Sequence, residues 1–300
     1  MELRQLRYFV AAAETLNFSE AAKMFFITQS TLSQQIRQLE NEMGIKLFQR
    51  NSHTVVLTEA GEQLLPSALN TINAADTCAE RIQDLKKMLT GTLNIGVTYS
   101  FSPIIAEPLV TFMKQYPQVK LNIYNRSVDE LMAMLAKHQV DFVLAFKPAE
   151  VGEDVEFHTL FDSNLAVIVR KGHKLEKTER LTMADIKQCD FALPMRGLQA
   201  RNKLSAIIGD EISQLNIRAE LNEVNMLLHL IRETDMITIL TEATIYGQEG
   251  IKAIPLIVKD RDMAGCVHML KNAYRKHSAS AFLRLLSESN AVRQRVSEWL

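Results

Sequence analysis

Residues 17–44 read "NFSEAAKMFFITQSTLSQQIRQLENEMG", a stretch free of Pro that reaches Gly only at its last position. Its spacing predicts two helices joined by a tight turn. Ser19 can cap a short helix through Ala21, Ala22 and Phe25, and the small alanines would let another helix pack close. After a turn around Phe26 and Ile27, Thr28 caps a helix that runs to about Met43, with Gly44 as its stop. Within it Leu32, Ile36, Leu39 and Met43 recur at helical spacing and fall on one narrow apolar stripe. Opposite stand Ser30, Ser33, Gln34 and Arg37, with Thr31 and Gln38 at the sides and Thr28 and Gln29 at the start. Hydroxyls, amides and a guanidinium are the groups that read base edges in a major groove and hold phosphates. A solvated surface helix is the plainer alternative, because Ser and Gln are common on surfaces.

The flanking residues favour the first reading. Upstream, Leu3, Leu6, Val10 and Ala13 mark another amphipathic helix, with Phe9 widening its stripe. Downstream, "GIKLFQRNSHTVVLTEAG" (44–61) contains two strand-like pieces, about 46–49 and 54–58. Between them lies a polar tip, Asn51-Ser52-His53, with Arg50 beside it. That pattern is a β-hairpin wing able to touch a minor groove or backbone.

Together "FSEAAKMFFITQSTLSQQIRQLENEMGIKLFQR" (18–50) and "VVLTEAG" (55–61) resemble the winged helix-turn-helix of LysR-type transcriptional regulators. The resemblance implies that the helix from Thr28 is the recognition helix, with promoter DNA touched by Thr28, Gln29, Ser30, Thr31, Ser33, Gln34, Arg37, Arg50 and His53. The chain departs from the family's habit of basic residues where Gln34 and His53 stand. Residues 1–60 carry six basic and six acidic side chains. So few uncompensated cations predict weak binding by one module and a shallow salt dependence, with affinity gained by linking modules.

A linking element follows. Thr58 can cap a helix to about Met88, in which Leu65, Ala68, Ile72, Ala75, Ala79 and Ile82 form a heptad seam, and Pro66 should bend or loosen its first turns. The seam suits dimerisation, a use the family makes of this helix; a helix lying on its own domain is the alternative. The expected domains are therefore a DNA-binding domain (1–58), a linker helix (59–89) and an effector-binding domain (90–300).

From Gly91 the pattern alternates strands and helices: strands at 93–97, 119–124 and 141–146, then 165–170, 190–194, 216–221, 236–240 and 252–257. Such alternation predicts right-handed βαβ crossovers and parallel sheets in two α/β subdomains. The resemblance implies a fold like that of periplasmic binding proteins, with subdomain I over about 90–162 and 267–300 and subdomain II over about 163–266. In open α/β sheets ligands bind at the carboxyl ends of strands. Those positions hold Thr98, Ser100, Ser102, Asn125, Ser127, Arg196, Asn225 and Thr241, groups suited to a small anionic metabolite, or else ordinary caps and turn residues.

Composition is that of a folded protein: 300 residues, 47% hydrophobic, net charge −1. Cys78, Cys189 and Cys266 are far apart and odd in number, which suits a reducing cytoplasm. No run is long and apolar enough to predict a membrane span. No dinucleotide fingerprint, phosphate-binding loop, metal-ligand spacing or catalytic constellation stands out, so neither an enzyme nor a cofactor is expected. The expected protein is a cytoplasmic regulator that binds an effector and DNA as a dimer or tetramer, engaging RNA polymerase where it activates. A cytosolic metabolite-binding protein, or a redox sensor using Cys189 and Cys266, is the alternative.

Overall fold

The computed structural model describes residues 1–50, 55–85, 90–148, 152–258 and 262–297. The chain divides into two compact units, Met1–Met88 and Leu89–Leu300.

In the first unit α1 (Leu3–Thr15), α2 (Phe18–Met24) and α3 (Gln29–Met43) precede an antiparallel hairpin, β1 (Phe48–Arg50) and β2 (Val55–Leu57), and then α4 (Glu59–Leu85). Leu6, Phe9, Phe18, Ala21, Leu32, Ile36, Leu39 and Phe48 close one core. The wing is tied into it by Phe48, whose ring meets Phe18 edge-on at 5.2 Å. Asn17 rather than Ser19 caps α2: its extended backbone lets the side chain accept from the N–H groups of Ser19 and Glu20. Thr28 caps α3 as expected, accepting the Thr31 N–H at 3.2 Å.

Helices α2 and α3 end alike, on a left-handed residue. For α3 it is Gly44 (φ 69°), which has no Cβ to clash. For α2 it is Phe26 (φ 55°). The Ile27 N–H reaches back to the Ala22 carbonyl (3.2 Å) and the Phe26 N–H to that of Lys23 (3.1 Å), the two bonds of a Schellman cap. The conformation costs a non-glycine residue about 1–2 kcal/mol.

The Thr58 hydroxyl starts α4, accepting from the Gly61 N–H (3.1 Å) and donating to the Lys46 carbonyl (2.7 Å). The helix continues through Pro66. Its expected dimer seam is only partly free: Ala68 is buried in the first unit's core, and Leu65 and Ile72 pack against that core. The reason is that the first half of α4 packs along α1 and helps close that core. Toward the other end Ile82 is exposed.

The second unit holds β3 (Gly91–Val97), α5 (Ser102–Gln115), β4 (Val119–Asn125), α6 (Val128–Ala136), β5 (Phe142–Phe146) and the long β6 (Val155–Arg170). There follow α7 (Met183–Ile186), β7 (Asp190–Pro194), α8 (Gln199–Ile208), β8 (Asn216–Leu221), α9 (Val224–Glu233), β9 (Thr238–Thr241), β10 (Ile251–Pro255), β11 (Asp262–Leu270), α10 (His277–Glu288) and α11 (Asn290–Ser297).

The sheets are mixed, not purely parallel. β3 pairs parallel with β4 and β5, but β11 lies antiparallel between β5 and β6. Residues 155–164 of β6 pair with β11, whereas residues 165–170 pair with β9 and β10. One 16-residue strand therefore serves both lobes; only residues 165–170, apolar up to Arg170, were legible as a strand, because residues 155–164 mix polar and apolar side chains. β7 and β8 form a parallel pair beside β9. The C-terminal segment returns to the first lobe, where the Phe282 ring of α10 sits 5.5 Å from Phe112 of α5 and 5.9 Å from Phe142 of β5.

Candidate functional site

The outward side of α3 carries Gln29, Ser30, Thr31, Gln34, Arg37 and Gln38, all at least partly exposed, with Thr28 at its cap. The Thr28 hydroxyl lies 2.9 Å from that of Ser30 and 2.8 Å from that of Thr31, so the helix opens on a cluster of hydroxyls. Ser33 does not belong to this face: it is 7% exposed. Met43, expected in the core, lies at the surface. Met43 closes the last turn of α3, directly before its Gly44 stop. The buried stripe is broader than the one drawn through Leu32, Ile36 and Leu39, and includes Ser33 and Glu40 at its edge, where the backbone of Leu47 and Phe48 meets Glu40. Arg50 ends β1; His53 lies outside the described residues.

Glu40 is the residue that sequence reasoning missed. Its carboxylate is 2% exposed. It accepts the N–H groups of Leu47 (3.0 Å) and Phe48 (3.3 Å) and meets the Lys46 ammonium at 3.3 Å. A buried carboxylate with such donors stabilises the fold, and without them it would not be tolerated. It joins the recognition-type helix to the wing. The signal was available: Ser33, Ile36 and Glu40 are themselves three and four apart.

In the second unit a cavity of about 940 Å³ opens between the lobes. Its lining includes five of the eight expected residues: Ser102, Asn125, Ser127, Arg196 and Asn225. The Asn125 amide donates to the Ser102 hydroxyl at 3.0 Å, joining the end of β4 to the start of α5. Ser127 and Glu130 form a capping box on α6, and the Ser127 hydroxyl and N–H hold the Glu130 carboxyl below its usual range. Glu223 caps α9 and also accepts from the Asn225 amide at 3.0 Å. Both acids on the rim are thus engaged with helix-start N–H groups, whereas Arg196 is exposed.

Thr98, Ser100 and Thr241 are buried and do not line the cavity. A 3₁₀ turn at Tyr99–Phe101 turns Ser100 inward and presents Tyr99 instead. Another at Glu242–Ile245 presents Thr244. The Thr244 hydroxyl, on the wall, donates to Ser100 (3.2 Å) and lies 2.8 Å from that of Thr241, so two of the three support the wall from behind. The Tyr99 hydroxyl accepts the Ala200 N–H at 3.3 Å, tying the lobes together; burial raises its pKa above the usual phenol value. Leu198, Val224 and Leu228 complete an apolar side.

Cys189 and Cys266 are both buried free thiols, and desolvation raises both pKa values. Less thiolate means slower oxidation, so these positions are poorly suited to sensing oxidants. Among the described residues no group of three His, Cys, Asp or Glu side chains is placed to hold a metal, and no helix is long and apolar enough to cross a membrane.

A winged helix-turn-helix followed by a two-lobed unit with a cavity between its lobes is the architecture of a DNA-binding protein equipped with a ligand sensor. Comparison with known families agrees. The LysR substrate binding domain matches residues 86–291, and the lysR family of bacterial regulatory helix-turn-helix proteins matches residues 3–62. The uncharacterized transcriptional regulator YnfL of Escherichia coli is 31% identical over 227 residues, covering 71% of this chain and 76% of that protein. A full-length OxyR variant from Pseudomonas aeruginosa shares the fold with a TM-score of 0.76 at 20% identity, over 98% of this chain and 97% of that one. CbnR in complex with its target DNA matches with a TM-score of 0.68 at 18% identity, over 98% and 100%. The chain belongs to the LysR family of DNA-binding transcriptional regulators, with an effector-binding domain at its C-terminal end.

Proposed function

We propose that α3 enters the major groove of promoter DNA by its N-terminal end, with Thr28, Gln29, Ser30, Thr31, Gln34 and Arg37 facing bases and phosphates and Arg50 and His53 on the wing. The single observation that carries this is the outward face of α3, where a cluster of hydroxyls at the helix start continues into exposed amide and guanidinium side chains, Gln34 and Arg37. It is tested by anisotropy on DNA from upstream of the protein's own gene, against scrambled DNA, in a salt series. Gln34→Ala is expected to lower the preference for the specific duplex and leave the non-specific salt slope unchanged. Equal binding of wild type to both duplexes at every salt concentration counts against it.

The cavity takes a small metabolite with an anionic group. Arg196 receives that group, Ser102, Asn125, Ser127 and Asn225 orient the ligand, and Thr98, Ser100 and Thr241 position the wall. Support comes from Arg196 being exposed on the lining while the rim carboxylates are engaged elsewhere. Binding shifts the lobes about the strand they share, which alters how paired DNA-binding units are spaced. Pairing uses the distal part of α4, where Ile82 is free of its own core, and dimers assemble further into tetramers. The protein acts in the cytoplasm, without enzymatic chemistry, and engages RNA polymerase where it activates. Thermal shifts with a panel of carboxylates and their neutral amides test the ligand class: stabilisation by a carboxylate that its amide does not give, and that Arg196→Ala abolishes, is expected.

A further inference from the structure

Phe25 and Phe26 are adjacent and have opposite fates. Phe25 packs inward, its ring edge-on to Tyr8 at 4.9 Å. Phe26 occupies the left-handed position of the Schellman cap on α2, with φ 55°, and is 97% exposed. Glycine or asparagine is the usual choice there, and any small polar residue would avoid exposing a ring. Phe26 thus combines an unfavourable backbone with an unfavourable surface, and no packing among the described residues of the first unit offsets either. Backbone outliers of this kind concentrate at functional positions. Its place is informative: two residues before Thr28, whose hydroxyl gathers those of Ser30 and Thr31. Phe26 is therefore continuous with the polar face at the end by which a recognition helix enters the groove.

We propose that Phe26 is a specificity residue, laying its ring against the C5-methyl of a thymine beside the base pairs read by the start of α3. This rests on the DNA-binding reading of α3. Phe is one of the side chains that contact thymine methyls in the major groove, and the ring would lose its exposure only in the complex.

The test uses the full chain and duplexes enriched by it from a randomised library. Thymines of the enriched site are replaced by uracil one at a time, which removes a methyl and keeps the pairing. One replacement is expected to weaken wild type about fourfold, the effect of one buried methyl. Phe26→Asn should weaken binding to the thymine duplex at least as much and be indifferent to that same replacement. In parallel, Phe26→Asn should raise the unfolding midpoint of the first unit, since Asn tolerates the left-handed conformation. Opposite signs for folding and binding are what a merely structural residue would not produce. If Phe26→Asn binds as wild type does, with the same pattern of uracil sensitivity, the proposal is overturned while DNA binding by α3 stands. If no duplex is enriched, both fall.

Discussion

The two units of this regulator each bury an ionisable side chain, and treat it differently. Glu40 in the first unit keeps its charge company: two backbone N–H groups and the Lys46 ammonium surround it. His268 in the second, on β11, has its Nδ1 3.4 Å from the Val143 carbonyl, while its Nε2 has no partner among the described residues. Burial pushes its pKa down to about 4. The first group was placed to hold two elements in register; the second is tolerated because a neutral imidazole costs less to bury than a charge. A buried polar group therefore says little about its role until its partners are known.

Glu40→Ala leaves the Leu47 and Phe48 N–H groups without their acceptor and should destabilise the first unit by about 3 kcal/mol. Denaturant unfolding read on that unit measures it, and DNA affinity should fall with it because the wing is released. A loss no larger than that of an exposed glutamate would show that the wing is held by Phe48 alone.

His268 should produce the next effect, and only in acid. Between its unfolded pKa near 6.5 and its folded value of about 4, the unfolded chain takes up a proton that the folded chain refuses. Stability is thus complete above pH 6.5 and declines as pH falls toward 4, by up to about 3 kcal/mol. Unfolding midpoints of the second unit at pH 7 and pH 5 should differ, and His268→Leu should reduce the difference.

The Thr244 hydroxyl is a neutral counterpart, held between Ser100 and Thr241. Thr244→Val removes the hydroxyl between Ser100 and Thr241 and should cost about 1 kcal/mol, with a weakened ligand response in thermal shift. The smallest stability effect belongs to Arg196→Ala, within about 0.5 kcal/mol as for most exposed positions, although the response to carboxylates should vanish.

Much of this was legible along the chain. The stripe of Leu32, Ile36 and Leu39, the cap at Thr28 and the stop at Gly44 are local features, set within a few residues by periodicity and capping chemistry, and they appear in place. The β7 and β8 strands were read to the residue for the same reason. By contrast Ser33 and Glu40 depend on which neighbour covers the edge of α3, and helical spacing alone does not say how wide a buried stripe will be. The cavity followed the same division. Strand ends marked Ser102, Asn125 and Arg196 as candidates, but a single 3₁₀ turn decided that Tyr99 rather than Ser100 would face the ligand space.

Read along the chain alone, periodicity and end-capping were enough for the helix-turn-helix and for the alternation of strands and helices, and the resemblance of residues 18–61 to the LysR family supplied the class of protein. Only the tertiary structure decided that α4 spends its first half on its own unit, that β6 passes through both lobes, that Glu40 anchors the wing, and that one phenylalanine of an adjacent pair is left in water. Those outcomes depend on contacts between segments distant along the chain, where burial and hydrogen-bond satisfaction override local preference.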